Sequence, residues 1–88
     1  MKVAFKKSFL KELNKLRNKT LQDSIANCIL QVELAEDLSR IKNIKKLKGY
    51  DFYYRIRVGD YRIGIKAEGD TVYFVVCEHR KDIYKGFP

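Results

Sequence analysis

The chain has 88 residues, is 45% hydrophobic and carries a formal net charge of +8. This length suits one domain, residues 1–88, with one modest core, and the composition gives no sign of disorder. No apolar run is long enough for a signal peptide or a membrane helix, so we expect a soluble protein of the cytoplasm.

The first half of the chain predicts a short strand followed by two helices. Lys2 to Phe5 is apolar at its centre and predicts the strand. Ser8 is a candidate N-cap for a first helix, in which apolar residues recur at helical spacing as far as Leu16. A second amphipathic helix is predicted from Leu21 to Leu38, and the short joint between the helices indicates an αα-hairpin.

The second half has the pattern of a β-sheet. A basic loop enters a strand near Ile44 to Leu47. From Phe52 onward the apolar period becomes two, and Gly59-Asp60 and Gly69-Asp70 are typical two-residue hairpin turns. The almost unbroken apolar run from Thr71 to Glu78 favours a central strand that is covered on both faces.

The order of these elements predicts an α+β fold. It reads β-α-α-β-β-β, with a small antiparallel sheet packed on the helical hairpin and a short tail that is too polar to bury much. Cys28 and Cys77 fit no metal or redox spacing, so we expect two small buried hydrophobes and no metal site.

The positive charge is concentrated in one segment. Residues 40–66 contain nine Lys or Arg and two Asp, a net charge of +7, whereas the remaining 61 residues have ten basic and nine acidic side chains, a net charge of +1. Such an uneven distribution is typical of proteins that bind RNA or DNA. A merely solubilising charge is the alternative, but it is usually spread over the surface.

A two-residue turn at Gly59-Asp60 fixes the register of the first hairpin. It sets Arg57 opposite Arg62 and Arg55 opposite Gly64, and opposed residues share a face. One face should pack on the helices and carry Tyr54, Ile56, Val58, Tyr61, Ile63 and Ile65. The other, which we call the arginine face, should carry Tyr53, Arg55, Arg57, Arg62, Gly64 and Lys66.

A regular second hairpin extends this face. It would set Gly64 opposite Val75 and Arg62 opposite Cys77, so that Val75, Cys77 and His79 join the arginine face and no acidic side chain does. Opposed like charges destabilise a sheet, and guanidinium groups bind phosphate with two hydrogen bonds. The pattern therefore predicts a phosphate site, and three independently solvated arginines are the alternative.

Several short motifs follow one another along nearly the whole sequence. They are F-x3-F-x-K-x-L-x-K-L at Phe5 to Leu16, K-L-K-G at Lys46 to Gly49, Y-R-I-R at Tyr54 to Arg57, G-D-Y-R-I at Gly59 to Ile63 and H-R-K-D-I-Y at His79 to Tyr84. In their order and spacing the chain resembles the RelE/ParE superfamily of toxins from type II toxin–antitoxin modules.

The resemblance implies a ribosome-dependent endoribonuclease that needs no metal or cofactor. In RelE-like members the 2′-hydroxyl of the mRNA attacks the adjacent phosphate in the ribosomal A site. Arg55 and Arg57 stand where the archetype has two lysines, and Arg62 matches an arginine that holds the phosphate. Arg80 matches an arginine proposed to protonate the leaving oxygen, and Tyr84 matches a tyrosine that stacks on the nucleotide, with a shorter spacing here.

Two assignments go beyond these matches. Arginine remains protonated and is a poor general base, so His79 is predicted to take the proton, because imidazole titrates near neutral pH. Tyr84 or a ribosomal group is the alternative. Further RNA contacts are assigned to Lys45, Lys46, Lys48, Tyr53, Lys66 and Lys81.

The resemblance leaves three functions open. A ParE-like inhibitor of DNA gyrase without nuclease activity shares the fold and the basic character, and an inactive RNA-binding domain is a third reading. In either toxin reading the partner is a cognate antitoxin, a small acidic RelB-like protein with an amphipathic helix.

Overall fold

Along the chain, one strand is followed by two helices and then by four strands. The structure is a computed structural model that describes residues 1–88, apart from the side chain of Tyr84. Its elements are β1 Lys2–Phe5, α1 Lys7–Lys15, α2 Lys19–Leu34, β2 Ile44–Lys46, β3 Tyr53–Val58, β4 Tyr61–Glu68 and β5 Thr71–His79, with short 3-10 helices at Leu38–Arg40 and Ile83–Lys85. Within the described chain, no helix has the length and apolar character needed to cross a membrane.

One sheet contains all five strands, in the order β1-β5-β4-β3-β2. The α+β class is confirmed, with two differences from the predicted order. The segment Ile44–Lys46 is a separate edge strand that pairs with β3, which adds a strand to the order. In addition, β1 runs parallel to β5, so the sheet is mixed rather than antiparallel.

The core lies between the helices and one face of the sheet. Phe9 of α1 and Ile25 and Val32 of α2 pack there with Ile63 and Phe74, and all five are at most 1% exposed. Cys28 and Cys77 are also buried in this cluster as free thiols, as predicted. Burial raises the pKa of both thiols, to about 11 for Cys28 and about 12 for Cys77, which makes them unreactive packing residues.

The helix α1 covers the part of β5 that β1 leaves unpaired. The pairing of β1 with β5 ends at Phe5 and Phe74. Beyond that point the Ser8 hydroxyl donates to the Val75 carbonyl, and the Cys77 amide donates to Glu12 Oε1 at 3.2 Å. Ser8 is therefore not the predicted N-cap, because its hydroxyl serves the exposed edge of β5.

The second helix begins and ends earlier than predicted. It starts at Lys19, because the Asn18 side chain accepts a hydrogen bond from the Leu21 amide at 3.0 Å and so acts as the N-cap. It ends at Leu34 rather than Leu38, which belongs to the following 3-10 helix.

The prediction that the tail buries little was wrong. Ile83 is 1% exposed, and Phe87 lies against the sheet at Gly64. The final segment, residues 80–88, therefore folds back over the sheet and helps to shape the arginine face.

Candidate nucleic-acid interface

The first hairpin has the predicted register. Arg57 pairs with Arg62, Arg55 with Gly64 and Tyr53 with Lys66, across the two-residue turn at Gly59-Asp60. The three arginines thus share one face of β3 and β4, away from the helices.

The second hairpin does not have the predicted register. A bulge between Gly64 and Ile65 pairs Gly64 with Val76 rather than with Val75. The extra residue shifts every later pair by one position. Cys77 consequently faces Ile63 in the core, and Glu78, not Cys77, lies opposite Arg62.

The resulting arginine face has three cross-strand rows. One row is Tyr53, Lys66 and Tyr73; the middle row is Arg55, Gly64 and Val76; the last row is Arg57, Arg62 and Glu78. Aromatic groups therefore collect at one end of the face and guanidinium groups at the other.

The paired arginines are held mainly by uncharged oxygens. Arg57 Nη2 donates to Asn43 Oδ1 at 3.2 Å, and Arg62 Nη1 donates to the carbonyls of Gly59 and Tyr61 at 3.0 Å each. In the part of the chain that the structure describes, neither of the two forms an ion pair. Their positions are fixed while their charges stay available to an anion.

A carboxyl pair borders the last row. Burial raises the pKa of Glu12 to about 7, and the hydrogen-bonded, like-charged Glu78 beside it adds to this shift, although the Cys77 amide opposes it. Glu12 is therefore partly protonated near neutral pH. The expectation that no acidic side chain would join the arginine face was wrong, because the bulge turns Glu78 toward it.

His79 lies on the other face of the sheet. It pairs with Tyr61, whose ring contacts the imidazole edge-on with 5.6 Å between centroids. The amide of Lys81 donates to His79 Nδ1 at 3.2 Å. The prediction that His79 borders the arginines was wrong, because it assumed a regular hairpin.

The other predicted contact residues are scattered. Lys45 is exposed opposite Arg55, on the arginine face. Lys46 lies opposite Tyr54, on the other face, and pairs with Asp51 at 3.6 Å. Exposed turns carry the remaining lysines and the predicted proton donor, namely Lys48, Arg80 and Lys81. The side chain of Tyr84 lies outside the described residues.

Tyr73, Glu78 and Phe87 border the arginine face and were not predicted as site residues. One signal could have located Glu78 and Phe87, because a lone glycine within a strand pattern indicates a bulge or a close approach of another group. Gly64 is such a glycine, and both features occur there.

Known proteins share the sequence pattern and the fold of this chain. Residues 3–84 match the family described as the ParE toxin of the type II toxin–antitoxin system parDE. The chain is 46% identical to Toxin RelE3 of Methanocaldococcus jannaschii over the full length of both. It resembles the crystal structure of a RelB–RelE antitoxin–toxin complex from Methanococcus jannaschii, with 43% identity, a TM-score of 0.80 and coverage of 97% of this chain and 99% of the other.

An archaeal RelE–RelB complex from Pyrococcus horikoshii gives 25% identity and a TM-score of 0.74, over 90% of this chain and 93% of the other. The family match spans nearly all of the chain, and the arrangement of helices and strands is common to these structures. The chain belongs to the RelE/ParE superfamily of toxins from type II toxin–antitoxin systems.

Proposed function

We propose that this toxin is a ribosome-dependent, metal-independent endoribonuclease that cleaves mRNA in the cytoplasm. The observation that carries the proposal is the directly opposed pair Arg57 and Arg62, whose guanidinium groups donate to uncharged oxygens and form no ion pair among the residues that the structure describes. The 46% identity to Toxin RelE3 supports a toxin of the RelE type.

The arginines would act on the phosphate. As the 2′-hydroxyl oxygen bonds to phosphorus, the bond to the 5′ oxygen breaks and negative charge grows on the phosphoryl oxygens. Arg55, Arg57 and Arg62 would stabilise that charge through fixed donors. Arg80 would protonate the leaving oxygen, and the bond from its amide to the Asp60 carbonyl, at 2.8 Å, holds its backbone beside the turn that follows Arg57.

The proton of the 2′-hydroxyl needs an acceptor. Glu78 lies directly opposite Arg62 on the arginine face, whereas His79 lies on the other face. We therefore assign the general base to Glu78 in preference to His79.

The cognate antitoxin would be a small acidic RelB-like protein. The two archaeal structures hold RelE with RelB, and the +7 segment of this chain favours an acidic partner. Co-expression with that antitoxin should restore growth that the toxin alone arrests.

Inhibition of DNA gyrase is the second candidate function, favoured by the ParE description of the matching family. The products decide between the two. Expression of the chain followed by mapping of mRNA ends should show cuts within codons on ribosomes. DNA breaks and an SOS response with intact mRNA would instead support the gyrase reading, and normal growth at soluble expression would count against both.

A further inference from the structure

A cleft opens at the aromatic end of the arginine face. Its volume is about 330 Å³, within the roughly 300–1,000 Å³ range of small-ligand sites. Tyr53 and Tyr73 line it from the sheet, and Phe87 lines it from the final segment. None of these three residues belongs to the phosphate site proposed above.

Phe87 rests where a glycine makes room for it. A Cβ atom on Gly64 would stand 2.8 Å from Phe87 Cε1 and Cζ, and 2.6 Å from Val76 Cγ2. Both distances are shorter than real contacts allow, so a larger residue at this position would push the ring away. Gly64 thus seats the Phe87 ring on the arginine face, in the middle row between Arg55 and Val76.

Aromatic rings, two lysines and one carboxylate border the cleft, and Glu68 forms an ion pair with Lys66 at 2.6 Å. The rings of Phe87 and Tyr53 meet edge-on with centroids 5.7 Å apart, and Lys66 Nζ lies 5.5 Å from the Tyr53 centroid. Lys6 Nζ lies 5.0 Å from the Tyr73 centroid. Rings that stack on bases, beside lysines that follow the backbone, make up the sites that bind single-stranded nucleic acid.

The cleft continues the phosphate site along the strands. Its row of Tyr53, Lys66 and Tyr73 is four residues along the strand from the row of Arg57 and Arg62, or roughly 13 Å at the rise of a β-strand. A single strand whose phosphate is held by the arginines can therefore extend along this face and place a neighbouring base at the cleft.

We propose that this cleft is a nucleobase subsite, in which Phe87 and Tyr73 position an RNA base next to the phosphate held by the arginines. The inference deepens the proposed function and rests on it for the identity of the ligand as RNA. A filled cleft orients the strand, so Phe87 and Tyr73 are positioning residues for the scissile phosphate.

The test uses the full chain and a fluorescent oligoribonucleotide with 2′-O-methyl groups, which bind but cannot be cleaved. A single abasic nucleotide is moved along the strand, and the dissociation constant is measured at each position. At one position, the loss of the base should weaken binding to the wild type about tenfold, which is the effect expected for one stacked base. The variants Phe87→Leu and Tyr73→Leu keep apolar bulk but lose a ring. In them, an abasic nucleotide at that position should leave the dissociation constant unchanged.

The control variant is Phe5→Leu, which removes a partly exposed ring on the other face and should behave like wild type. If the wild type binds equally well at every abasic position, the subsite is wrong. It is also wrong if Phe87→Ala binds more tightly than wild type, because the ring would then block the cleft. Arg62→Ala separates the two proposals. If it binds as tightly as wild type, the arginine site fails, whatever the abasic series shows. A wild type that binds no oligonucleotide overturns the subsite, whereas the ribosome-dependent function is decided by the mapping of mRNA ends.

Discussion

The two hairpins of the sheet share β4 but differ in the regularity of their strand pairing. The β3–β4 hairpin is regular, and its register places Arg57 and Arg62 together on one face. The β4–β5 hairpin contains an extra residue near Gly64, so its later residues point to the opposite face from the one that a regular ladder gives. One inserted residue moved Cys77 into the core and Glu78 onto the arginine face.

The comparison shows how this site divides its chemistry. The regular hairpin supplies positive charge, fixed by hydrogen bonds to Asn43, Gly59 and Tyr61. The bulged hairpin supplies a carboxyl group beside that charge, and the neighbouring residues Val75 and Val76 line the cleft under Phe87. Cation and base would thus come from opposite sides of β4.

Removal of a cation from the regular hairpin should have a large effect on cleavage. Arg62→Ala should lower ribosome-bound mRNA cleavage roughly 10²–10³-fold, as loss of one donor to a developing charge does. Stability should change by about 0.5 kcal/mol or less, because Arg62 is on the surface side and Arg57 loses a like-charged neighbour. Single-turnover cleavage and thermal unfolding measure the two quantities.

Arg17→Ala is the matched control, since it removes an equal charge from an exposed position in the joint between the helices. Strong unfolding of Arg62→Ala with cleavage retained would show that the side chain supports the fold and not the phosphate.

The bulged hairpin can be tested by comparing neighbours. Glu78→Gln should slow cleavage roughly 10²–10⁴-fold with ribosome binding retained, the usual effect of removing a positioned base. His79→Ala should have little effect, because His79 lies on the other face. Single-turnover rates beside binding constants decide the assignment. If His79→Ala cleaves slowly and Glu78→Gln cleaves at the wild-type rate, the general base is His79, as the sequence alone predicted.

One methyl group added at Gly64, beside the bulge, should lower the stability of the fold. Gly64→Ala places Cβ too close to Val76 and Phe87, and we expect a loss of about 1–3 kcal/mol in the free energy of unfolding, as overpacking usually causes. Urea denaturation measures it.

The double variant Gly64→Ala, Val76→Ala removes the closer of the two contacts and should recover part of the loss. If Gly64→Ala has the free energy of unfolding of the wild type, the Phe87 ring and Val76 move aside without cost, and Gly64 does not hold the ring in place.

The last effect is a pH dependence of stability that comes from the carboxyl pair. Because burial holds the pKa of folded Glu12 at about 7, above its usual 4.5, the folded chain prefers the protonated form. The wild type should therefore lose stability relative to Glu12→Gln as the pH rises from about 4.5 through about 7. Melting temperatures at pH 4.5, 6 and 8 test this.

Glu78→Gln should reduce the same pH dependence, since it removes the like-charged neighbour. A constant difference between wild type and Glu12→Gln at all three pH values would show that Glu12 titrates normally.

The sequence by itself determined the α+β class, the buried cysteines and the first hairpin. Those features follow from local signals: helical spacing of apolar residues, alternation by two, and the turn at Gly59-Asp60, which fixes the pairs from Val58 to Tyr53. The family resemblance likewise depended on motifs that are contiguous in the chain.

Only the tertiary structure decided the second hairpin and the final segment. Thr71 to Glu78 is apolar almost throughout, so no alternation marks where an extra residue enters, and the bulge forms where the ring of Phe87 meets Gly64. That contact joins residues far apart in the sequence. It therefore left no periodic pattern, and the positions of Glu78 and His79 relative to the arginines became clear only once the chain was folded.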